Sequence, residues 1–176
     1  ERLRQIREAI GPDTGFMVDV NTIFDRESAH RLGEAIRDFN PFWYEEPVCP
    51  LDYEGHAMLR EALGVKIATG ENLYTSYGFA PLYAAGGCDY VMPDILRCGG
   101  LVETQKACTD ALAAGVVPSP HNFSSGVGTA ATLHLMAAMP ETQLLEFDPT
   151  GTAIYEELFV EPLEVSGGQV KVPSGP

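Results

Sequence analysis

Short apolar segments rich in β-forming residues alternate with helical patterns along most of the chain. The segments predicted as strands are Gly15–Val20, Pro41–Glu46, Lys66–Glu71, Tyr90–Asp94, Val116–His121 and Leu144–Phe147. The helices predicted between them are Ser28–Phe39, Tyr53–Leu63, Ser76–Ala85, Leu101–Ala114 and Thr129–Ala138. Several helical patterns are followed by the residues that favour a helix C-terminus, namely Asn40, Gly64, Gly86 and Gly115. This alternation predicts βαβ units and a parallel sheet.

Six ionisable side chains stand at the C-terminal ends of the six predicted strands, one in each unit. They lie 23 to 27 residues apart and are Asp19, Glu45, Glu71, Asp94, His121 and Glu146. The strand ends of a doubly wound sheet lie along a line and change sides at a switch point, whereas a closed barrel brings them to one mouth. We therefore predict an α/β fold, a (β/α)8 TIM-type barrel with these residues at its active site.

The chain is shorter than a complete barrel. Six units account for about 150 residues, whereas a full barrel needs about 250. The first residues, ERLRQIREAIGP, have the pattern of a helix that has already begun, with no initiator Met and no N-terminal cap. We expect a fragment: a partial barrel of strands 3 to 8 over residues 1–158, without the two N-terminal units. Residues 159–176 are expected to form a tail, as a short hairpin or an extension from the barrel.

Composition and charge limit the possible partners. The 176 residues are 45% hydrophobic, which fits one domain, and their 25 acidic and 11 basic residues give a net charge of −14. This balance excludes the basic footprint of a nucleic-acid-binding protein and disfavours anionic membranes. No apolar segment approaches the ~20 residues of a membrane helix. Four cysteines without CxxC spacing, and no recognisable secretory leader, predict reduced thiols in a cytoplasmic protein.

Three carboxylates, those of Asp19, Glu45 and Glu71, come from three consecutive predicted strands. Carboxylates aimed at one point repel one another unless a cation neutralises them or their pKa values rise. Hard oxygen ligands with no Cys or His among them select Mg2+ or Mn2+ over zinc. Each residue alone could equally cap a loop, face solvent or start a turn. Together, at equivalent strand ends, they predict a metal site.

Two positions near these carboxylates stay open on pattern alone. Glu45 and Glu46 cannot both face the site, because neighbouring strand side chains point to opposite faces, and the pattern does not choose between them. Asn21 lies two residues after Asp19 and should share its face, which would bring it close to the metal or the substrate. A turn residue in the sequence VNTIF is an equally good interpretation of Asn21.

His121 precedes a loop of small residues, NFSSGVG, and is expected at the barrel mouth. Asp94, one strand earlier, could hydrogen-bond to one imidazole nitrogen, which would orient the ring and raise its basicity for acid–base catalysis near pH 7. Glu146 could exchange a hydrogen bond with a substrate oxygen, or could be a capping or solvated residue in LLEFDP. No lysine stands at a predicted strand end, which excludes a Schiff-base lysine in this part of the barrel.

Taken in order along the chain, these motifs closely resemble the enolase superfamily. The motifs are D-V-N at Asp19–Asn21, E-E-P at Glu45–Pro47, G-E-N at Gly70–Asn72, M-P-D-x-x-R-x-G-G at Met92–Gly100, and a histidine at the end of the next strand. Within the superfamily the chain is most similar to the mandelate racemase-like branch, which includes many sugar-acid dehydratases. Muconate cycloisomerase-like and dipeptide epimerase-like members carry a lysine base at the position of Asp94.

The resemblance implies one Mg2+ held by Asp19, Glu45 and Glu71, with Glu45 rather than Glu46 as the ligand. The ion would bind a substrate carboxylate and neutralise the charge that grows on it as the α-proton leaves. The implied partner of the protein is thus a small carboxylate such as a sugar acid. The full-length protein is expected to form homo-oligomers.

The resemblance also implies roles for the remaining strand-end residues. His121, paired with Asp94, would be one acid/base, Glu146 would contact the carboxylate side of the enolate, and Asn21 would lie near the substrate or metal. The reaction that we expect is dehydration of an aldonate or aldarate. Racemisation or epimerisation of a 2-hydroxy acid is one alternative. A non-catalytic barrel remnant that serves binding or oligomerisation is another.

The sequence departs from the family pattern at two points. Arg97 stands where a lysine is common, which leaves its local role open. The family's N-terminal capping domain and its second-strand base, often in a K-x-K motif, are not found in these 176 residues. We therefore expect the 176-residue chain by itself to show no useful turnover.

Overall fold

Five short strands lie side by side in one parallel sheet, in the same order as in the chain. The computed structural model describes residues 1–150 and 153–175. The strands are β1 (Met17–Asp19), β2 (Trp43–Glu45), β3 (Ile67–Thr69), β4 (Tyr90–Val91) and β5 (Val117–Pro118). Each strand pairs with the next one along the chain, so the described sheet has no switch point. This is the arrangement of consecutive barrel units.

In the described part of the chain, one helix precedes β1, five follow the five strands at the predicted places, and a short one lies near the tail. Within the described residues they are α1 (Arg2–Ile10), α2 (Arg26–Arg37), α3 (Tyr53–Leu63), α4 (Thr75–Ala85), α5 (Leu101–Ala113), α6 (Gly126–Ala138) and α7 (Ala153–Glu156). The tail contains an antiparallel hairpin of β6 (Val165–Ser166) and β7 (Gln169–Val170). None of the described helices combines the length and the apolar character that crossing a membrane requires.

Local sequence signals set several helix ends. The side chains of Asp25 and Asp52 accept hydrogen bonds from backbone N–H groups in the first turns of α2 and α3, as N-caps do. The residues predicted to follow helix C-termini all have positive φ angles, of 49°, 63°, 66° and 76° at Asn40, Gly64, Gly86 and Gly115. This left-handed conformation ends a helix and redirects the chain toward the next strand.

The two faces of the sheet carry different sets of buried residues. Tyr44 and Val91 belong to the main core, which packs between the sheet and the helices. Their strand neighbours Trp43 and Tyr90 form a separate cluster with Met92 on the opposite, inner face. Because side chains alternate along a strand, Glu45 follows Trp43 on the inner face, and its register partner Asp19 lies beside it on β1. The fold therefore directs these residues away from the helices and toward the inside of the sheet.

The prediction of a sixth strand at Leu144–Phe147 is wrong. This segment carries no strand, and its neighbour Gln143 makes one backbone hydrogen bond to the carbonyl of Pro118 at 3.1 Å. On the other side of β5, the backbone N–H groups of Val117 and Ser119 donate to the carbonyls of Asp89 and Val91, next to and within β4. The positions that face the other way are Pro118 and Pro120, which have no N–H to donate. A continuous ladder therefore cannot form on this side of β5.

Gly70 is expected to tolerate no side chain. It follows β3 with a φ of 130°, and a Cβ atom there would lie 3.0 Å from the Phe79 ring and 3.2 Å from the Met92 backbone nitrogen. We expect Gly70→Ala to lower the free energy of unfolding by about 1–3 kcal/mol, since backbone strain and crowding act together. Urea denaturation of the variant and the unaltered protein would measure this.

Gly78→Ala is the matched control for that substitution. Gly78 lies inside α4, and its added Cβ would meet only the Leu73 Cβ at 3.7 Å, an ordinary contact. Alanine has the higher helix propensity, so this variant should be more stable by up to about 1 kcal/mol. Equal stability of the two variants would contradict the strain assigned to Gly70.

Candidate active site

The first two predicted ligands lie next to each other at the ends of adjacent strands. Asp19 and Glu45 are register partners in the parallel pair of β1 and β2. Asp19 is exposed, whereas Glu45 is buried and accepts a hydrogen bond from Trp43 Nε1 at 2.8 Å. Strand pairing alone therefore brings these two carboxylates together.

Negative charge accumulates around Glu45. Burial and then the charge of Asp19 raise the pKa of Glu45 to about 8 against the hydrogen bond from Trp43, and the charges of Glu146 and Glu71 act in the same direction. A carboxyl group in such surroundings takes up a proton unless a cation supplies the missing counter-charge. The electrostatics thus favour a cation next to these four carboxylates.

The structure separates the two neighbouring glutamates that the sequence pattern left open. Glu46 has a left-handed backbone, with φ at 46°, and its buried carboxylate turns toward the loop after β3. It accepts hydrogen bonds from Thr69 Oγ1 at 2.5 Å, Gly70 N at 3.1 Å and Asn72 Nδ2 at 3.0 Å. The carboxylate of Glu46 is therefore bound by the end of β3 and the loop after it, and Glu45 is the glutamate that lies beside Asp19.

Glu71 lies between the carboxylates and the histidine. Its Oε1 accepts a hydrogen bond from Arg97 Nη1 at 3.1 Å, and its Oε2 lies 3.2 Å from His121 Nε2. Arg97 Nε also lies 3.6 Å from a carboxylate oxygen of Asp94. The sequence had left Arg97 without a role, although its place three residues after Asp94 could have indicated one. Arg97 is a cation that bridges the two halves of the site.

His121 and Asp94 form a buried hydrogen-bonded pair. His121 Nδ1 lies 2.7 Å from Asp94 Oδ2, and the backbone N–H of Leu96 donates to Asp94 Oδ1 at 2.7 Å. Burial opposes ionisation of Asp94, but these two hydrogen bonds outweigh it and the pKa of Asp94 is lowered. Asp94 is therefore a carboxylate, which accepts a hydrogen bond from the protonated Nδ1.

The other nitrogen of His121 faces carboxylates as well. Nε2 lies 3.2 Å from Glu71 Oε2 and 3.7 Å from Glu146 Oε2. Burial alone would lower the pKa of His121, but the hydrogen bond to Asp94 and the charges of Glu146 and Glu71 outweigh it, so the pKa is raised. With acceptors at both ring nitrogens, this arrangement fits the imidazolium form.

Glu146 is held in place by a residue that the sequence analysis did not identify. The backbone N–H of Asn122 donates to Glu146 Oε2 at 2.8 Å, and Asn122 Nδ2 donates to the Glu146 carbonyl at 3.0 Å. Thr129 in α6 accepts a further hydrogen bond from the buried Asn122 side chain at 2.9 Å. The position directly after His121 was the only sequence signal for Asn122. The resulting contacts fix Glu146 without help from a strand ladder.

Asn21 lies at the turn after β1 rather than free in the site. Its φ is 48°, its backbone N–H donates to Asp19 Oδ1 at 2.9 Å, and its side-chain amide donates to Asp19 Oδ2. A local Asx-type turn of this kind matches the turn interpretation of the sequence. It also makes Asn21 the residue that fixes the carboxylate plane of Asp19.

An open cavity of about 380 Å³ lies on the inner face beside two of these carboxylates. Its walls are Met17, Trp43, Glu45, Met92, Ser119, Pro120, Leu144, Leu145, Glu146 and Phe147. The volume is that of a small-molecule pocket, and its charged groups are both carboxylates. A ligand with its own negative charge would therefore need a cation beside it.

The side chains do not form a ready metal centre in these positions. Within residues 1–150 and 153–175, no group of three or more His, Cys, Asp or Glu side chains is placed to hold a metal ion. Asp19 is hydrogen-bonded to Asn21, and Glu71 is paired with Arg97 and His121. The donor chemistry nevertheless fits a hard divalent cation, because the predicted ligands are all oxygens and other carboxylates surround the buried Glu45.

Comparison with known proteins assigns the chain to a family. The family described as "Enolase C-terminal domain-like" matches residues 1–176. The chain belongs to this family. The predicted membership of the enolase superfamily, in its mandelate racemase-like branch, is thereby confirmed.

Among curated relatives of this enolase C-terminal domain-like chain are two enzymes that act on sugar-acid derivatives by name. The D-galactarolactone cycloisomerase of Agrobacterium fabrum is 37% identical over 179 residues, which cover 97% of this chain and 47% of that protein. The L-talarate/galactarate dehydratase of Salmonella typhimurium is 38% identical over 169 residues, which cover 96% of this chain and 40% of that protein. The chain thus spans about half the length of the curated relatives it matches.

A solved structure confirms the predicted fold class. The crystal structure of the 3,6-anhydro-D-galactonate cycloisomerase from Zobellia galactanivorans matches this enolase-type domain with a TM-score of 0.92 and 34% identity. The match covers 99% of this chain and 49% of that chain. The five-stranded parallel sheet therefore corresponds to the C-terminal, TIM-barrel part of the enolase superfamily.

Proposed function

We propose that this chain supplies the Mg2+-binding residues and the acid–base residues of an enzyme that dehydrates a sugar acid. The observation that carries the proposal is the buried His121, which is hydrogen-bonded to Asp94 at 2.7 Å and has its other nitrogen directed at Glu71 and Glu146. The names of the relatives, which include a galactarate dehydratase and sugar-acid cycloisomerases, support the same class of substrate.

Proton transfer is assigned to His121. Asp94 fixes the ring through Nδ1, so that Nε2 is the nitrogen that faces Glu71 and Glu146, and Glu146 lines the cavity. The neutral ring can take the substrate α-proton at Nε2, and the imidazolium that results can pass this proton to the departing β-hydroxyl group, which leaves as water. Burial of His121 limits competition from bulk water during this transfer.

Asp19, Glu45 and Glu71 are the residues that would hold Mg2+. The ion supplies Lewis-acid stabilisation of the negative charge that develops on the substrate carboxylate when the α-proton leaves. The raised pKa of Glu45, which follows from burial and from its carboxylate neighbours, supports a counter-ion at this place. Glu146 lines the same cavity as Glu45 and is fixed by Asn122, where it would contact the carboxylate end of the substrate.

A screen of the full-length protein against a library of aldonates and aldarates with Mg2+ tests this function. We expect a 2-keto-3-deoxy acid from at least one library member. Scrambling of the α-carbon configuration without keto-acid formation would favour a racemase or epimerase instead. A folded protein that neither turns over any library member nor binds Mg2+ in a calorimetric titration would overturn the proposal and favour a non-catalytic barrel.

A further inference from the structure

We propose that Glu46 is a positioning residue that orients Glu71 through the side-chain amide of Asn72. The inference rests on the proposed function, because Glu71 is one of the proposed Mg2+ ligands. It assigns a role to a buried carboxylate that the proposed chemistry does not otherwise use.

The surroundings of Glu46 are unusual for a carboxylate. The residue is 1% exposed, and the groups that donate to it are the hydroxyl of Thr69, the backbone N–H of Gly70 and the amide of Asn72, all of them neutral. Burial of a carboxylate is costly unless its oxygens are fully hydrogen-bonded. Its three donors lie between the last residue of β3 and the residue after Glu71, so these hydrogen bonds fix the segment that carries Glu71.

A carboxylate at position 46 determines which way the amide of Asn72 points. Because Glu46 can only accept, the NH2 group of Asn72 must face it, at 3.0 Å. The carbonyl oxygen of the same amide then faces the Arg97 guanidinium, where Oδ1 lies 3.4 Å from Nη1. Glu46 thus fixes the orientation of the Asn72 amide, with its NH2 group toward Glu46 and its carbonyl oxygen toward Arg97.

The oriented amide acts on one oxygen of Glu71. Asn72 Nδ2 lies 3.4 Å from Glu71 Oε1, and Arg97 Nη1 donates to the same oxygen at 3.1 Å. The second oxygen, Oε2, lies on the side of His121 and Glu146. Two donors hold Oε1 and leave Oε2 on the side of His121. Glu46, Asn72 and Arg97 therefore set the direction in which Glu71 can offer a ligand oxygen.

The test compares Mg2+ affinity by calorimetry and thermal stability for the unaltered protein and Glu46→Gln. When its carbonyl oxygen accepts from the Gly70 N–H, a glutamine at this position presents its NH2 group to the NH2 group of Asn72, and a flipped Asn72 would instead present its NH2 group to Arg97. Loss of a group that orients a metal ligand weakens metal binding by about 10–100-fold. We expect a loss of this size for Glu46→Gln.

Asp89→Asn is the matched control because it makes the same carboxylate-to-amide change in a side chain that binds the opposite end of β3, at Ile67. Asp89 accepts hydrogen bonds from Ile67 N at 2.9 Å and from Arg60 Nη2 at 2.8 Å. This variant should lower the melting temperature and leave the Mg2+ affinity unchanged. A loss of Mg2+ affinity in Asp89→Asn equal to that in Glu46→Gln would overturn the inference, since general loosening of β3 would explain both.

Asn72→Ala serves as the second variant, and it decides the question if Glu46→Gln does not fold. It removes the side-chain amide that connects Glu46 to Glu71, but it leaves the hydrogen bonds of Glu46 with Thr69 and Gly70 in place. We expect the same 10–100-fold loss of Mg2+ affinity, of about the size found for other orienting groups. Unchanged Mg2+ affinity in Asn72→Ala would overturn this inference and leave the proposed function standing. Failure of the unaltered protein to bind Mg2+ would overturn the proposed function and this inference with it.

Discussion

In the full-length protein, His121→Asn is expected to abolish exchange of the substrate α-proton and dehydration, while Mg2+ affinity changes little. Asparagine cannot take up a proton, and loss of a positioned acid–base group costs about 10²–10⁴-fold in rate. The proposed ligand oxygens all belong to other residues, so the ion should still bind. Deuterium incorporation from D2O at the α-carbon, followed by NMR on a sugar acid that the unaltered protein accepts, measures the first effect, and calorimetry measures the second.

His134→Asn is the control for this substitution. His134 is exposed on α6 and makes none of the contacts of the site, so its replacement should leave exchange, turnover and Mg2+ binding unaltered. If His121→Asn kept exchange at the rate of this control, the base would have to be another residue.

Glu71→Gln is expected to lose both Mg2+ binding and turnover. The substitution removes a negative charge from the proposed ligand set, and its new NH2 group would face either the Arg97 guanidinium or the His121 imidazolium, both of them donors. Changes in groups that merely orient a ligand cost 10–100-fold, so removal of a ligand should weaken Mg2+ binding by at least about 100-fold. Calorimetry and the keto-acid assay would measure the two losses.

Glu164→Gln removes the same charge at a position remote from the site. Glu164 lies in the tail, where it is exposed and pairs with Lys171 at 3.1 Å. Its replacement should affect neither Mg2+ binding nor turnover. Full Mg2+ affinity in Glu71→Gln, combined with lost turnover, would assign Glu71 to proton transfer rather than to the metal.

The sequence predicts the fold well wherever the chain follows the alternation of apolar strands and capped helices. Tyr53–Leu63 matches α3 at both ends, because Asp52 and Gly64 are strong start and stop signals. The segment Leu144–Phe147 has the same apolar pattern but forms no strand. The reason lies in its neighbour, whose Pro118 and Pro120 cannot donate to it. Hydrophobic pattern alone does not report the hydrogen-bonding capacity of the adjacent strand.

The candidate site was predictable as a set of residue types at strand ends but not as a network. Register between strands explains why Asp19 and Glu45 lie together, and period-two alternation explains the inner face. The positive φ of Glu46, and the turn of its carboxylate toward the loop after β3, have no signal in the sequence E-E-P. The roles of Arg97 and Asn122 depend on side-chain contacts across 24 to 26 residues, which local patterns do not encode.

A crystal structure of the protein grown with Mg2+ would test the central claim most directly, namely that carboxylates from three successive strands share one cation. We predict a single ion bound to one oxygen or more from each of Asp19, Glu45 and Glu71, at about 2.1 Å. Asp19 would then turn one oxygen from its Asn21 turn toward the ion, and Glu71 would direct Oε2 at it. An ion bound elsewhere, with Glu71 still shared between Arg97 and His121 in saturating Mg2+, would contradict the claim.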